Sequence, residues 1–235
     1  MYFRKSLVVI CLTSFLPISS YGQEEIGSGW YHAFELETGL RFNQEAQGLI
    51  EWDLDGWVGT DENKIRIKFK SEPNPSDKDE GEFVAMFSHN ISTFWDVQVG
   101  LHLDTQPESL IYAVIGFEGL APYFLETEAH VFISEQGDFN LTLKYEKDFP
   151  ITNKLIAKPY IEANCFAQNI VEQDIGSGLS NAELGIQTRF EFSSAIALYA
   201  DFKYDRKFGK TRLLANNNGE EENTVTATLG FKFLF

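Results

Sequence analysis

The stretch YFLETEAHVFIS, Tyr123–Ser134, decides the fold. Every second residue belongs to one of two sets. Tyr123, Leu125, Thr127, Ala129, Val131 and Ile133 are apolar or nearly so, while Phe124, Glu126, Glu128 and His130 place two carboxylates and an imidazole in a row. Side chains alternate faces along a β-strand, so the pattern is a strand with one greasy and one ionisable face. The fold follows from which solvent each face meets.

The chain has 235 residues, room for one large β domain or two small ones. It opens with a basic pair, Arg4 and Lys5, an apolar run from Ser6 to Ile18, and small residues Ser20 and Gly22 before Gln23. That order is expected of an export signal over residues 1–22; the alternative is an N-terminal membrane anchor. Losing Arg4 and Lys5 moves the formal charge from −16 to −18. So acidic a chain offers little to phosphates, which excludes nucleic acid as a partner, although it attracts cations or simply keeps its surface solvated. Cys11 leaves with the signal, and Cys165 then has no intramolecular disulfide partner. After Gly22 no apolar run reaches the eighteen or so residues of a spanning helix.

Period-two segments continue to the last residue instead. Strands are predicted near Tyr31–Arg41, Gly48–Gly59, Glu62–Lys70, Gly81–Asn90, Trp95–Asp104, Leu110–Glu118, Tyr123–Ser134, Phe139–Asp148, Lys154–Phe166, Ser180–Phe192, Ala195–Arg206 and Thr224–Phe235. Pro159 is the least comfortable residue in them. Connections after even-numbered strands are tight, whereas those after odd ones include SEPNPSDKDE, LDTQPES and KFGKTRLLANNNGEEEN. Two odd connections, NQEAQG and EQGD, are shorter. Short turns at one end and long loops at the other describe an all-β, antiparallel up-and-down transmembrane barrel of about twelve strands in a Gram-negative outer membrane. In TVTATLGFKFLF the apolar set is Val225, Ala227, Leu229, Phe231, Phe233 and Phe235. Twelve strands closed with such sets inward would leave an apolar interior too wide to fill, so lipid lies outside and water inside. Residues 23–30 then form a short periplasmic segment and 31–235 the barrel. Phe235 ends an outward row, either as the C-terminal signal read by outer-membrane assembly machinery or as the end of an amphipathic strand.

At IEWDLDGWVGTDENKIRIK the chain resembles the copper resistance protein B family. The likeness continues through ISTFWDVQVGLH, IYAVIGFEGLAPYFLETEAHVFISEQGD, DIGSGLSNAELGI and YDRKFG. The resemblance implies an outer-membrane barrel that handles copper, together with periplasmic copper-handling proteins as partners. It also has departures. The Met- and His-rich segment that many members carry before the barrel is absent between Gln23 and Trp30, and Met86 is the only methionine beyond the signal. Leu103 stands where a family histidine is expected, and Lys70 where an acid is expected.

Copper(I) favours thiolate, thioether and imidazole, and copper(II) favours imidazole and carboxylate. Face alternation sends His102, His130, Met86, Asp96, Asp104, Glu126 and Glu128 to the lumen, making them the candidate copper ligands. His32, His89 and Cys165 face outward. His102 and His130 lie on strands separated by one other, about 10 Å apart, and are expected either to share a weak transit site or to belong to an ion-pair network. Lys64, Arg66, Lys68 and Lys70 turn inward beside Glu51, Asp53 and Asp55. They form a structural ladder of cross-strand pairs or a cation-repelling patch. An enzyme is not expected. Ser88 and His89 are adjacent and so face opposite ways, and GSGLS lacks the strand–turn–helix setting of a nucleophile elbow. The functional expectation is weak copper binding in an acidic lumen, in aid of copper export or homeostasis; a general small-solute pore or structural barrel is the alternative.

Overall fold

A computed structural model describes residues 29–43, 47–72, 80–105, 109–170, 173–219 and 221–235. The expected signal and most of the segment before the first strand lie outside the described residues. The strands are β1 (Tyr31–Phe42), β2 (Gln47–Gly59), β3 (Asn63–Glu72), β4 (Glu80–Ser92), β5 (Trp95–Asp104), β6 (Leu110–Ala121) and β7 (Leu125–Ser134). They continue with β8 (Phe139–Glu146), β9 (Phe149–Pro150), β10 (Leu155–Phe166), β11 (Gly178–Glu191), β12 (Ile196–Lys207) and, after the helix α1 (Gly209–Asn218), β13 (Asn223–Leu234). Neighbours in sequence are antiparallel neighbours in the sheet, and β13 pairs with β1 from Glu35↔Leu234 to Phe42↔Ala227, closing the ring.

The ring has twelve staves, as the alternation predicts, because β9 prolongs β8 along the same edge of β10. Phe149 pairs with Ala157 and Pro150 with Ile156, while Glu146 pairs with Tyr160. The interruption lies opposite Lys158 and Pro159, where the proline has no N–H to give the ladder. Two details differ from the sequence reading. Tyr123 and Phe124 belong to a turn, with φ of 68° and 56°, so the seventh stave begins at Leu125. The long connection after Lys207 contains α1, whose only buried side chains are Thr211 and Ala215, too few to leave an apolar stripe.

Burial is inverted relative to a soluble domain. Leu101 is 60% exposed, Leu184 59% and Phe202 59%, whereas Gln98 is 1% and Lys232 3% exposed. Among the described residues no helix is long and apolar enough to cross a membrane. The strands supply the apolar surface instead. A closed ladder satisfies every internal backbone group without water, which an apolar solvent demands.

This polarity sets a test. Leu184→Arg is expected to destabilise the barrel in lipid vesicles by about 2–4 kcal/mol, and Gln187→Arg, on the lumen face, by much less. Urea unfolding midpoints measure the difference, and equal costs would place the lipid on the wrong side.

Candidate functional site

The pairing registers order the lumen residues into rows. Asp96, Glu118 and Glu128 share one row, and Gln98, Gly116 and His130 the next. Met86, Gly100, Val114 and Phe132 follow, then His102, Tyr112 and Ser134, and finally Asp104 and Leu110. Successive rows are about 6.6 Å apart at the rise of a strand. Glu126 lies one row below Glu128, towards the end of the tight turns, which is periplasmic in outer-membrane barrels. The candidate ligands therefore climb one wall in the order Glu126, Glu128, His130, Met86, His102.

The two histidines are not brought together. They are two rows apart, about 13 Å along the strands, and Phe132 stands between them. Its ring centre is 5.3 Å from that of His102 and 6.2 Å from that of His130. His130 is buried against Gly116, where even a methyl group would meet the imidazole Cδ2 at 2.4 Å. Its Nε2 lies 2.6 Å from Gln98 Oε1, and Gln98 Nε2 donates to Glu118 at 2.6 Å. With Nε2 donating, a neutral imidazole keeps its lone pair on Nδ1, 3.9 Å from Glu128. His102 stacks on Tyr112 at 5.3 Å, and neither of its ring nitrogens has a hydrogen-bond partner among the described residues. Met86 is buried and lies over Gly100.

The basic strand does more than pair with its neighbour. Arg66 forks onto Asp55 of β2 at 3.0 and 2.9 Å, and Lys68 lies 3.7 Å from the same carboxylate, as a ladder requires. Lys70 stands opposite Asp53 in register, whereas Glu51 approaches Arg41 of β1 at 3.9 Å. The other contacts cross the lumen. Lys64 reaches Asp96 of β5 at 2.9 Å, Arg66 reaches Glu118 of β6, and Lys68 reaches Glu128 of β7 at 2.7 Å. Long basic side chains on one strand thus tie four strands together, and that sector of the lumen is packed. Strand periodicity finds which residues face inward but not how far each reaches, and for that reason Gln98 and Glu118 escape a sequence reading.

The remaining sector holds a cavity of about 940 Å³. It runs from the tight turn at Ser193–Ala195 and from Phe235 up to Glu183, Lys203 and Thr226, and on β3 to Lys70 and Ser71 near that strand's upper end. Its lining has fourteen carboxylates against seven basic side chains, an excess that attracts cations. Several of these charges are tied along the wall. Lys144 meets Glu146 at 2.9 Å and Lys158 meets it at 3.3 Å, Tyr160 donates to Asp201 at 2.9 Å, and Gln187 to Glu37 at 3.1 Å. Glu126 and Glu128 line the cavity, but His102, His130 and Met86 sit in the packed wall above it. Among the described residues no three His, Cys, Asp or Glu side chains converge as a preformed metal centre. What the arrangement offers is an acidic cavity with Glu126 and Glu128 on its lining and His130, Met86 and His102 outside it.

An up-and-down barrel with an apolar belt and a charged lumen defines an outer-membrane type of protein. Solved structures share this fold: the NanC porin at a TM-score of 0.57 and 10% identity, over 85% of this chain and 98% of that one. The KdgM porin in complex with disordered oligogalacturonate gives 0.52 and 8%, over 86% and 98%. The chain matches the model of the Copper resistance protein B precursor (CopB) family over residues 31–235, and it belongs to that family. It is 31% identical to Copper resistance protein B of Escherichia coli over 187 residues, 79% of this chain and 63% of that one. Against the Copper resistance protein B homolog of Pseudomonas syringae pv. tomato it is 31% identical over 219 residues, 92% and 74% of the two chains. The chain thus spans under two thirds of the length of the Escherichia coli relative.

The cross-lumen tie is open to measurement. Lys68→Ala and Glu128→Ala, combined in a double-mutant cycle on the refolded barrel, should show a coupling of about 0.5–3 kcal/mol. A coupling near zero would make the contact incidental to stability.

Proposed function

We propose that this barrel lies in the outer membrane and takes copper ions from the periplasm into its acidic lumen, binding them weakly on their way out or holding them at the envelope. The observation that carries the reading is the twofold excess of carboxylates in the lumen of a chain that belongs to the copper resistance B family. A conduit must attract an ion without retaining it. The rows supply graded, separated ligands of the kinds copper uses: Glu126 and Glu128 first, then His130, Met86 and His102. Asp96 and Asp104 flank them on β5. Copper is cargo here rather than a resident cofactor, and no bond-making chemistry is assigned to the protein.

The same reading covers the rest of the chain. Residues 1–22 serve as the export signal and 23–30 as a short periplasmic segment. Phe235 belongs to the strand read by the assembly machinery, and periplasmic copper-handling proteins deliver the ion at the tight-turn end. Glu51, Asp53, Asp55, Lys64, Arg66 and Lys68 hold the lumen's shape.

A strain lacking the protein should lose copper tolerance and regain it with the wild-type chain. Substituting His102 or His130 by Ala should each weaken copper binding to the purified barrel. Because Phe132 separates the rings, the double variant should show the product of the two single effects, as independent stations do. A double variant no worse than either single would mean one shared ion. Unchanged binding in all three, with heat-modifiable gel migration intact, would leave the carboxylates as the ligands. Unaltered copper tolerance in the deletion strain, with changed uptake of unrelated solutes, would favour a general pore.

A further inference from the structure

The lipid-facing wall carries a charge of its own. Tracing the registers round the ring assigns each strand residue to the lipid or the lumen side. Among the described strand residues, Arg206 is the only Asp, Glu, Lys or Arg on the lipid side. It pairs with Ala182 of β11 and Asn223 of β13, one row above Leu184, Tyr204 and Val225. Lys147, between β8 and β9, also faces outward, but at the opposite end, where it donates to the Tyr123 carbonyl.

Arg206 sits where the apolar belt ends. The outward set of β12 below it, Ile196, Leu198, Ala200, Phe202 and Tyr204, spans nine residues, within the ~9–11 that a tilted strand needs to cross hydrocarbon. Above Tyr204 the wall turns polar, and the Tyr204 hydroxyl donates to Asn223 Oδ1 at 2.9 Å. A lipid-facing arginine is costly at the midplane and tolerated at the interface. The long connections leave from this end, so the interface is that of the outer leaflet.

The Arg206 side chain is exposed and makes no ion pair among the described residues; its contact is the Phe208 ring, 5.5 Å from Cζ to the ring centre. Stacking on a ring occupies one face of a guanidinium and leaves its N–H edge free. That edge is a fork matched to a phosphate. Beside it Ala182 and, one strand further, Ala163 are small, so a headgroup meets no bulky neighbour on that side. The setting is basic within a chain of formal charge −16, since RKFGKTR, Arg206–Arg212, has four cations and no acid. Lys210 and Arg212 are exposed, although Arg212 lies 3.9 Å from Glu222. A basic cluster at membrane level draws anionic headgroups.

We propose that Arg206 is a binding site on the outer wall for the phosphate of an outer-leaflet lipid, with Lys210 adding attraction from above. The ligand is a lipid rather than free phosphate, because Tyr204, Leu184 and Phe202 directly beneath offer acyl chains an apolar surface that a free ion cannot use. The inference rests on the outer-membrane reading and is independent of copper.

The test titrates the refolded mature barrel, in a zwitterionic detergent, with lipid A, and native mass spectrometry counts the lipid bound. The wild type should bind lipid A at least about tenfold more tightly than its dephosphorylated form, the difference expected for a charge-assisted hydrogen bond. Arg206→Gln should weaken lipid A by the same factor. Arg206→Lys should weaken it less, because it keeps the charge and loses the fork. Lys147→Gln, at the other end, should change nothing. Heat-modifiable migration and insertion into phosphatidylcholine vesicles verify each barrel, so failure of the membrane reading shows separately from failure of this site. If Arg206→Gln does not fold, Arg206→Lys and the dephosphorylated lipid carry the test. Equal affinity of the wild type and Arg206→Gln, equal affinity for the two lipids, an equal loss in Lys147→Gln, or displacement of lipid A by inorganic phosphate at the same concentration would overturn the site.

Discussion

Everything in this protein depends on the pairing of β13 with β1. A strand in hydrocarbon that leaves its N–H and C=O groups unpaired loses several kcal/mol at each, so an open twelve-stave sheet cannot exist there. Closure removes both edges at once, and the alternation of side chains then fixes which groups meet lipid and which meet the lumen. No disulfide is needed, because the ring is its own cross-link. Cys165 is free and half-buried.

Closing twelve staves also creates a space too wide for apolar side chains to fill, and the chain divides it by charge. On one side, Lys64, Arg66 and Lys68 of β3 span the interior to Asp96, Glu118 and Glu128. On the other, the carboxylates outnumber the cations and the interior stays hollow. Both outcomes come from one strand register. Three bases on alternate positions of one strand face the acids of three others, so they condense on that side and leave an unneutralised excess elsewhere. Stability and cation attraction are therefore two consequences of one distribution rather than competing uses of it.

The architecture was legible because its signal is local. Trp95, Val97, Val99, Leu101 and Leu103 alternate with Asp96, Gln98, Gly100, His102 and Asp104, and a period of two needs no tertiary information. The lumen candidates alternate with the exposed apolar residues for the same reason. What stayed hidden needs the register between distant strands. That His130 lies beside Gln98 follows from two successive pairings through Gly116, and that Phe132 separates His130 from His102 follows from two more. The helix was hidden differently. Its two buried residues, Thr211 and Ala215, are neither large nor strongly apolar, so nothing in KTRLLANNN distinguishes it from a polar loop.

The division of the lumen constrains how an ion could use it. Glu126 and Glu128 stand at the cavity surface, whereas the softer ligands sit behind the ties made by Arg66 and Lys68. An ion that neutralises Glu128 competes directly with Lys68 for the same carboxylate, so its arrival weakens the contact that keeps the wall shut. His130, one residue pair further along the strand, then offers its Nδ1 lone pair at the loosened tie. The carboxylate excess supplies the attraction, and at Glu128 the lysine sets its limit, since a cation bound there must displace the one already in place. On the proposed reading such a lumen favours exchange over storage at Glu128 and His130, which the wall already holds through Lys68 and Gln98, whereas His102 keeps both ring nitrogens without a hydrogen-bond partner among the described residues.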